Sequence, residues 1–571
     1  MNQVKSLVNQ EKYEEALEQI TEDSSMAELE ESSHLNMIYF KSICFLNLGE
    51  LTKAKQTSTK LFKLSQSFQN DLYELDAICF LLKISMMFET RDESKRLIAQ
   101  GERFFDQRLT IESNEYTQRK AAFLYLKATS LDPNIESFKY LSLIQESLSI
   151  RKAIEDKTGI SESLFGLGNY HLYQGDRKLA QKFFKESLAI GEEIGNKYLT
   201  SQANRALGNI YSFRGKFNLA LKYTKKALDL AERIKNKCEI SHNLQHLGEI
   251  YYFKGELEIA EKYIAKAHHL AELAEYTVMI ILSLYDFGRV SQDRGDFHAS
   301  LEYYKTALDL VKERNTKFFL AEGLYYLVRL YTYHLSPSKA QPFIEELDAL
   351  RKEEKNFWNN LIYQAGKALV LKTSERLPDK MEALRIFQKI AKEPHSVYKV
   401  TVEAIINLCD LLLFELKTTG NEDVLDELDR YCNQLLKIAK EQNSHSLLAE
   451  TYWLHSKLAL LKLDIHQAQT LLLKAQSIAE KRGLKALVNS ISYDHYSFFS
   501  QLQKWEEYID RNVSLNQRIE LAQLESLVVK MIHKRLHDVP TKTIEELMKI
   551  EEFQSYLKEA KKILSEYEEE E

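Results

Sequence analysis

Apolar residues recur at helical spacing along the chain, and from about 156 to 350 they follow a fixed forty-residue ruler. In the first unit Leu164, Leu167 and Tyr170 fall three apart, a turn follows at Gly175, and Ala180, Phe183 and Ser187 continue at i, i+3 and i+7. The stretch LGNYHLYQGD from Leu167 returns as LGNIYSFRGK from Leu207, LGEIYYFKGE from Leu247 and FGRVSQDRGD from Phe287. One glycine register is therefore Gly168, Gly208, Gly248 and Gly288, and a second is Gly175, Gly215, Gly255 and Gly295. Ala180, Ala220, Ala260 and Ser300 share a third. Phe183, Tyr223, Tyr263 and Tyr303 come next, then Ser187, Ala227, Ala267 and Ala307. The pattern predicts two helices per unit joined by a tight turn. A glycine inside the first helix costs about 1 kcal/mol relative to alanine. Its return at one position in four units predicts a close helix approach, where a methyl group would cost about 1 to 3 kcal/mol. The second glycine is expected to end that helix in a left-handed conformation.

Composition supports an all-helical chain. Of 571 residues only 18 are glycine and six are proline, and no proline falls between 134 and 336. Leu, Glu, Lys, Ala and Ile dominate, which suits helices with short connections. Outside the core the ruler blurs. A fifth unit keeps Ala340, Phe343 and Leu347 but has Val328 and Leu335 where the glycines would stand. Gly49 with Ala54, and Leu463 with Ala468, Leu471 and Ala475, repeat the same offsets near the two ends. The expected organisation is a regular core over 156–350 between degenerate helical repeats at 1–155 and 351–512. An amphipathic helix over 513–539 is expected to cap the last repeat, as solenoid ends require. An acidic helical tail, 540–571, follows Pro540 and ends in Glu568 to Glu571.

The small–large–small pattern of Leu-Gly, Gly, Ala, aromatic and Ala resembles the tetratricopeptide repeat, whose standard unit has 34 residues. The forty-residue version, with LGN at 167–169 and 207–209 and second helices ending in IGNK or IKNK, looks like the repeats of the LGN/Pins type and, more distantly, those of kinesin light chain. That resemblance implies a right-handed superhelical solenoid of antiparallel helix pairs whose first helices line a concave groove. It implies that Asn169, Asn209, Glu249, Arg289 and Arg329 form one ladder in the groove. Arg205, Gln245, Tyr285 and Tyr325 would lie one turn earlier, with His246, Asp286 and Tyr326 beside them. Tyr173, Phe213, Phe253 and Tyr333 would lie one turn later. Asparagine amides suit the donors and acceptors of an extended peptide backbone, the arginines suit carboxylates, and the aromatic rings supply apolar anchoring area. The implied partner is a protein or peptide segment carrying acidic and bulky apolar residues. Arg289 has a rival within its own helix, since Asp286 lies at i−3.

Charge and chemistry narrow the function further. A net charge of −7 without a basic stripe argues against nucleic acid. Cys44, Cys79, Cys238, Cys409 and Cys432 are isolated and form no CxxC pair, so neither a disulfide framework nor a thiolate metal site is expected, and a cytoplasmic setting fits. No apolar stretch approaches the ~20 residues of a membrane span, and the N-terminus has no signal-peptide core. The Gly-Lys pair at Gly215 is no phosphate loop: Ile210 and Phe217 hold the places of its glycine and its Ser or Thr, and Asp176, Glu256 and Asp296 replace the lysine in sister units. His242, His246 and Glu249 share a helix face that could address zinc, against a plainer reading as exposed histidines on a groove wall. With no nucleophile elbow and no nominated catalytic pair, the expected function is a non-enzymatic interaction scaffold without cofactors. The alternatives are a switch autoinhibited by the acidic tail folding onto Arg205, Arg289 and Arg329, or a regulator whose superhelix closes on a peptide or small molecule. Homo-oligomerisation is neither called for nor excluded.

Overall fold

A computed structural model describes the chain apart from residues 24–30, 89–90, 108–112, 132–135, 295, 315–316, 355, 394–397, 443, 483–484, 512 and 523–571. The described residues form 27 α-helices, one short 3-10 turn at Pro337–Ala340 and no strand. Eight helices precede the core: α1 (Asn2–Asn9), α2 (Tyr13–Asp23), α3 (Glu31–Asn47), α4 (Leu51–Ser67), α5 (Asp71–Met87), α6 (Arg91–Gln107), α7 (Asn114–Thr129) and α8 (Ser137–Ala153). The core pairs α9 (Lys157–Tyr173) with α10 (Arg177–Glu193), α11 (Lys197–Phe213) with α12 (Phe217–Arg233), α13 (Lys237–Phe253) with α14 (Leu257–Leu273), α15 (Thr277–Asp293) with α16 (Phe297–Glu313), and α17 (Lys317–His334) with α18 (Gln341–Glu353). Then come α19 (Phe357–Lys372), α20 (Leu377–Lys392), α21 (Tyr398–Thr419), α22 (Glu422–Gln442), α23 (His445–Leu461), α24 (Ile465–Lys481), α25 (Lys485–Ser500), α26 (Leu502–Arg511) and α27 (Leu515–Ala522). The chain is an all-α solenoid.

The first three core units each have two left-handed turns. Gly175, Gly215 and Gly255 turn the chain between the helices of a pair with φ of 81°, 69° and 81°; Gly295 lies outside the described residues. Between pairs the left-handed residue is Glu155, Gly195, Lys235 or Glu275, again forty apart. The residue after each of the first three is Asp156, Asn196 or Asn236, whose side chain accepts the N–H three residues on and caps the next helix. Each cap stabilises its helix by about 1 kcal/mol.

The two helices of a pair meet at the first glycine register. A Cβ on Gly168 would stand 2.5 Å from Phe184, one on Gly208 2.5 Å from Thr224, one on Gly248 2.7 Å from Ile264 and one on Gly288 2.3 Å from Tyr304. The facing residue is always sixteen positions on, in the second helix. Two further ladders recur along the core pairs. Ser161, Ser201 and Ser241 donate to the carbonyls of Ser187, Ala227 and Ala267, where the small residues Ala227 and Ala267 let the backbone approach. Rings stack in register as His171 on Phe183, Tyr211 on Tyr223, Tyr251 on Tyr263 and Tyr331 on Phe343.

The solenoid winds tightly enough for successive turns to touch. On one edge Glu11 accepts the N–H groups of Lys197 and Tyr198 at 3.1 Å, closing over the N-terminus of α11. Lys237 N–H donates to Leu48 at 3.0 Å, and Gly49 rests against Cys238. On the other edge Ser444 donates to the carbonyl of Phe253, and Gln442 lies against Gly215, where a Cβ would come within 2.2 Å of it. Glu11 and Lys197, Gly49 and Cys238, and Phe253 and Ser444 are 186, 189 and 191 residues apart. At forty residues per unit, one turn of the coil takes between four and five units. At the C-terminal end α27 lies over α23, with Lys457 Nζ donating to the carbonyl of Ala522 and Arg518 to that of Leu461. The rest of the expected cap and the acidic tail lie outside the described residues.

Candidate partner-binding interior

The first helices of the units, α9, α11, α13, α15 and α17, form the inner layer, and their polar residues bond from one unit to the next. Arg205 on α11 reaches Glu239 Oε2 at 3.3 Å and His242 Nε2 at 3.2 Å on α13. Gln245 donates to Asp286 Oδ2 at 2.6 Å, and Asp286 holds Arg289 within α15. Arg289 also lies 3.5 Å from Glu249 and faces the rings of Tyr252, Phe253 and Tyr326 at 4.8 to 6.0 Å. Its guanidinium is only 4% exposed, and Nε and Nη1 have no hydrogen-bond partner among the described residues. The aromatic faces take the place of acceptors there. Burial raises the carboxyls of Asp286 and Glu249 above their ordinary range, against the pull of the arginine they share.

The histidines differ from the sequence expectation of an exposed groove wall. His246 is buried, bonds Thr224 Oγ1 through Nδ1 at 3.0 Å, and is pushed down to a pKa of about 3 by burial and then by Arg205. His242 is shifted the same way. Both face protein groups, and no cluster suited to a metal ion occurs among the described residues.

Further along the row the interior is filled by the chain itself. The N-terminal half of α21 packs into it. Glu403 accepts from Tyr325 Oη at 2.7 Å, Arg329 Nε at 2.7 Å and Tyr333 Oη at 3.0 Å. Asn407 donates to Tyr333 Oη, and Lys399 donates to Glu322 and Tyr326. Burial alone would raise Glu322, but the Lys399 ammonium holds its carboxyl below the ordinary range. Tyr398 wedges edge-on between Phe217 and Phe253, whose rings stack at 5.9 Å. Tyr285 is buried and donates to the carbonyl of Phe319. Lys399, Glu403 and Asn407 were not anticipated as interior residues. Their signal is a polar residue every fourth position on a stretch that is otherwise apolar but for Thr401, YKVTVEAIINL.

The expected row therefore divides. Gln245, His246, Tyr285, Asp286, Arg289, Tyr325 and Tyr333 are buried, and Arg205, Glu249, Phe253 and Arg329 are half-buried and engaged within the chain. Asn169 and Asn209 are half-buried, yet their amides make no hydrogen bond to any described residue. Tyr173 is 37% exposed and Phe213 is half-buried beside them in sequence register.

A family model described as cohesin loading factor matches residues 2–218. Among curated proteins none matches the sequence. The chain is similar in structure to a Rap protein complexed with competence and sporulation factor, at 15% identity over 66% of this chain and 99% of that one, TM-score 0.47. It is similar to aspartyl phosphate phosphatase F from Bacillus subtilis at 13% identity over 61% and 91%, TM-score 0.40. Yeast Tom70 resembles it at 14% identity over 79% and 93%, TM-score 0.32. No helix among the described residues is long and apolar enough to cross a membrane.

Proposed function

We propose that this protein is a non-enzymatic interaction scaffold that receives an extended segment of a partner protein along the stretch of its inner layer marked by Asn169 and Asn209. One observation carries this reading. Two amides, half-buried and unpartnered among the described residues, stand forty residues apart on consecutive inner helices, while the polar residues from Gln245 onward are spent on one another and on α21. Half-buried amides that no described group of the chain occupies are open to the N–H and C=O groups of an extended peptide, each such bond contributing about 0.5 to 1.5 kcal/mol. Tyr173 and Phe213, one helical turn on in each unit, offer rings for apolar side chains of the same segment. Arg205, Arg289 and Arg329 already hold carboxylates of this chain, so apolar residues and an accessible backbone, more than acidic residues, define the partner. The matched family description, cohesin loading factor, is in keeping with a scaffold, and the matched span includes both asparagines. A cytoplasmic setting belongs to this reading, supported by five cysteines that are all free and buried.

Partners recovered by co-purification and mass spectrometry supply the ligand for the test. Asn169→Ala with Asn209→Ala should leave circular dichroism unchanged and weaken binding of the mapped segment roughly tenfold, as expected from two lost hydrogen bonds of about 0.5 to 1.5 kcal/mol each. Unaltered affinity in this double variant sinks the assignment.

A further inference from the structure

A second surface lies on the outside of the coil. Leu179, Leu219 and Ile259 occupy one register, the third position of α10, α12 and α14, and are 38, 40 and 40% exposed. One helical turn further on, Lys182, Lys222 and Lys262 repeat in the same way and are exposed. Lys225 and Lys266 extend the positive band. The surface is bounded, because the next unit has Ala299 and Glu302 at these positions and the preceding one has Lys139 and Ser142.

The lysines of this band are largely uncommitted. Lys222, Lys225, Lys262 and Lys266 form no ion pair among the described residues. Lys182 lies 3.9 Å from Glu186 and Lys226 pairs with Glu192, while the acidic residues beside the apolar row are Asp176, which caps the helix at Leu179, Glu256, which pairs with Lys254, Glu258, and Glu261, which pairs with Arg294. An exposed apolar ladder beside a row of free cations, on a chain of net charge −7, fits a segment that is both apolar and acidic.

The chain carries such a segment. Residues 541–571 hold ten glutamates against five lysines, a net −5, together with Ile544, Leu547, Met548, Phe553 and Leu557. The 18 residues 523–540 join it to α27 and extend to at most about 60 Å. The arginines expected to receive this tail are committed elsewhere: Arg205 to Glu239, Arg289 to Asp286 and Arg329 to Glu403. We propose that the acidic tail 541–571 docks in cis on the outer face of α10, α12 and α14, its apolar residues on Leu179, Leu219 and Ile259 and its glutamates on the lysine row. Covalent tethering raises the local concentration enough for individually weak exposed ion pairs to hold the segment. The docking is independent of the inner asparagine row.

Zero-length carbodiimide coupling of the dilute full-length chain, read by peptide mass spectrometry, tests this. Amide links should join glutamates of 545–571 chiefly to Lys222, Lys225, Lys262 and Lys266. The folded variant Lys222→Glu, Lys225→Glu, Lys262→Glu, Lys266→Glu should lower the total yield of tail links roughly tenfold, and 1 M salt should lower it in the wild type. Leu179→Ser with Leu219→Ser and Ile259→Ser should lower it too, with every lysine present. Tail links that favour lysines outside these helices, tail links absent altogether, or a yield indifferent to the charge reversal would overturn the proposal. Links found only between isotopically distinct chains in a mixed sample also overturn it, since they assign the docked tail to a second copy.

Discussion

Glu403 on α21 and Arg329 on α17 meet at 2.7 Å although 74 residues separate them in sequence, and the same carboxylate gathers the hydroxyls of Tyr325 and Tyr333. One acidic residue thus closes three positions of the inner row. Both partners are at least four-fifths buried. Glu403→Leu strands the Arg329 charge and should destabilise this part of the solenoid by about 3 kcal/mol. Hydrogen exchange in α17 and α21 should accelerate, while α9 to α12 stay protected. Arg329→Met with Glu403→Met should recover part of the loss, because an apolar pair is often as stable as a buried ion pair while the buried Tyr325 hydroxyl still lacks its acceptor. Exchange that rises uniformly along the chain would contradict a local role.

The contact between turns of the coil gives a second expectation. Glu11 takes two backbone N–H groups at the start of α11 and sits beside Lys197 Nζ at 3.1 Å, so it caps that helix from another turn. Glu11→Ala removes a cap of about 1 kcal/mol together with its favourable charge at the helix N-terminus. Limited proteolysis should then cut within α1 and α2 faster, with the 156–350 core left intact. A cleavage pattern identical to the wild type would mean that the seam is held elsewhere, by Leu48 and Gly49 for instance.

Much of the pair architecture was legible in the sequence because a forty-residue ruler is a local signal. The glycines at 168 and 175, with their equivalents, mark where helices touch and where they turn. Other features were hidden for identifiable reasons. Lys235 and Glu275 are left-handed like Gly195, but a charged side chain at such a position carries no composition signal. The serine at 161, 201 and 241 shares the ruler yet looks like an ordinary polar position until its acceptor, a carbonyl 26 residues away, is seen. The filling of the inner row by α21 depends on how tightly the coil winds. That curvature accumulates from small rotations at every pair and has no local sequence signature. Candidate residues taken from repeat register were therefore placed on the inner layer, while the split between committed and open ones emerged only from contacts 70 or more residues apart.

His246 makes stability sensitive to acid. In the fold its pKa lies at about 3, whereas an unfolded histidine titrates near 6.5. Above about pH 6.5 both states are neutral and the group contributes nothing to the pH dependence. Below that, the unfolded chain binds a proton that the folded chain refuses, so stability falls by up to about 1.4 kcal/mol per pH unit until about pH 3. His242 acts in the same direction, and the raised carboxyls of Asp286 and Glu249 oppose it, since they bind protons more readily in the fold. His246→Gln should flatten the acid limb of stability between pH 6.5 and 4 by close to one proton. An unchanged slope in denaturant titrations across that range would show that His246 is not the source.

The effect of alanine at Gly288 should change sign with the residue that faces it. A methyl group there would come within 2.3 Å of Tyr304 Cε1, and the tyrosine is fully buried, with its hydroxyl 3.3 Å from Gln292 Oε1. The ring has no room to yield, so Gly288→Ala should destabilise the chain by about 1 to 3 kcal/mol even though alanine is the better helix former. Tyr304→Ala alone should cost about 3 to 5 kcal/mol through the cavity it leaves. In that background the obstacle is gone, and Gly288→Ala should stabilise by up to about 1 kcal/mol, the ordinary helix preference for alanine over glycine. Thermal unfolding of the four members of this cycle gives the interaction energy directly. If Gly288→Ala shifts the midpoint equally with and without the tyrosine ring, helix contact is not what keeps glycine at this register, and the close-approach reading of Gly168, Gly208 and Gly248 falls with it.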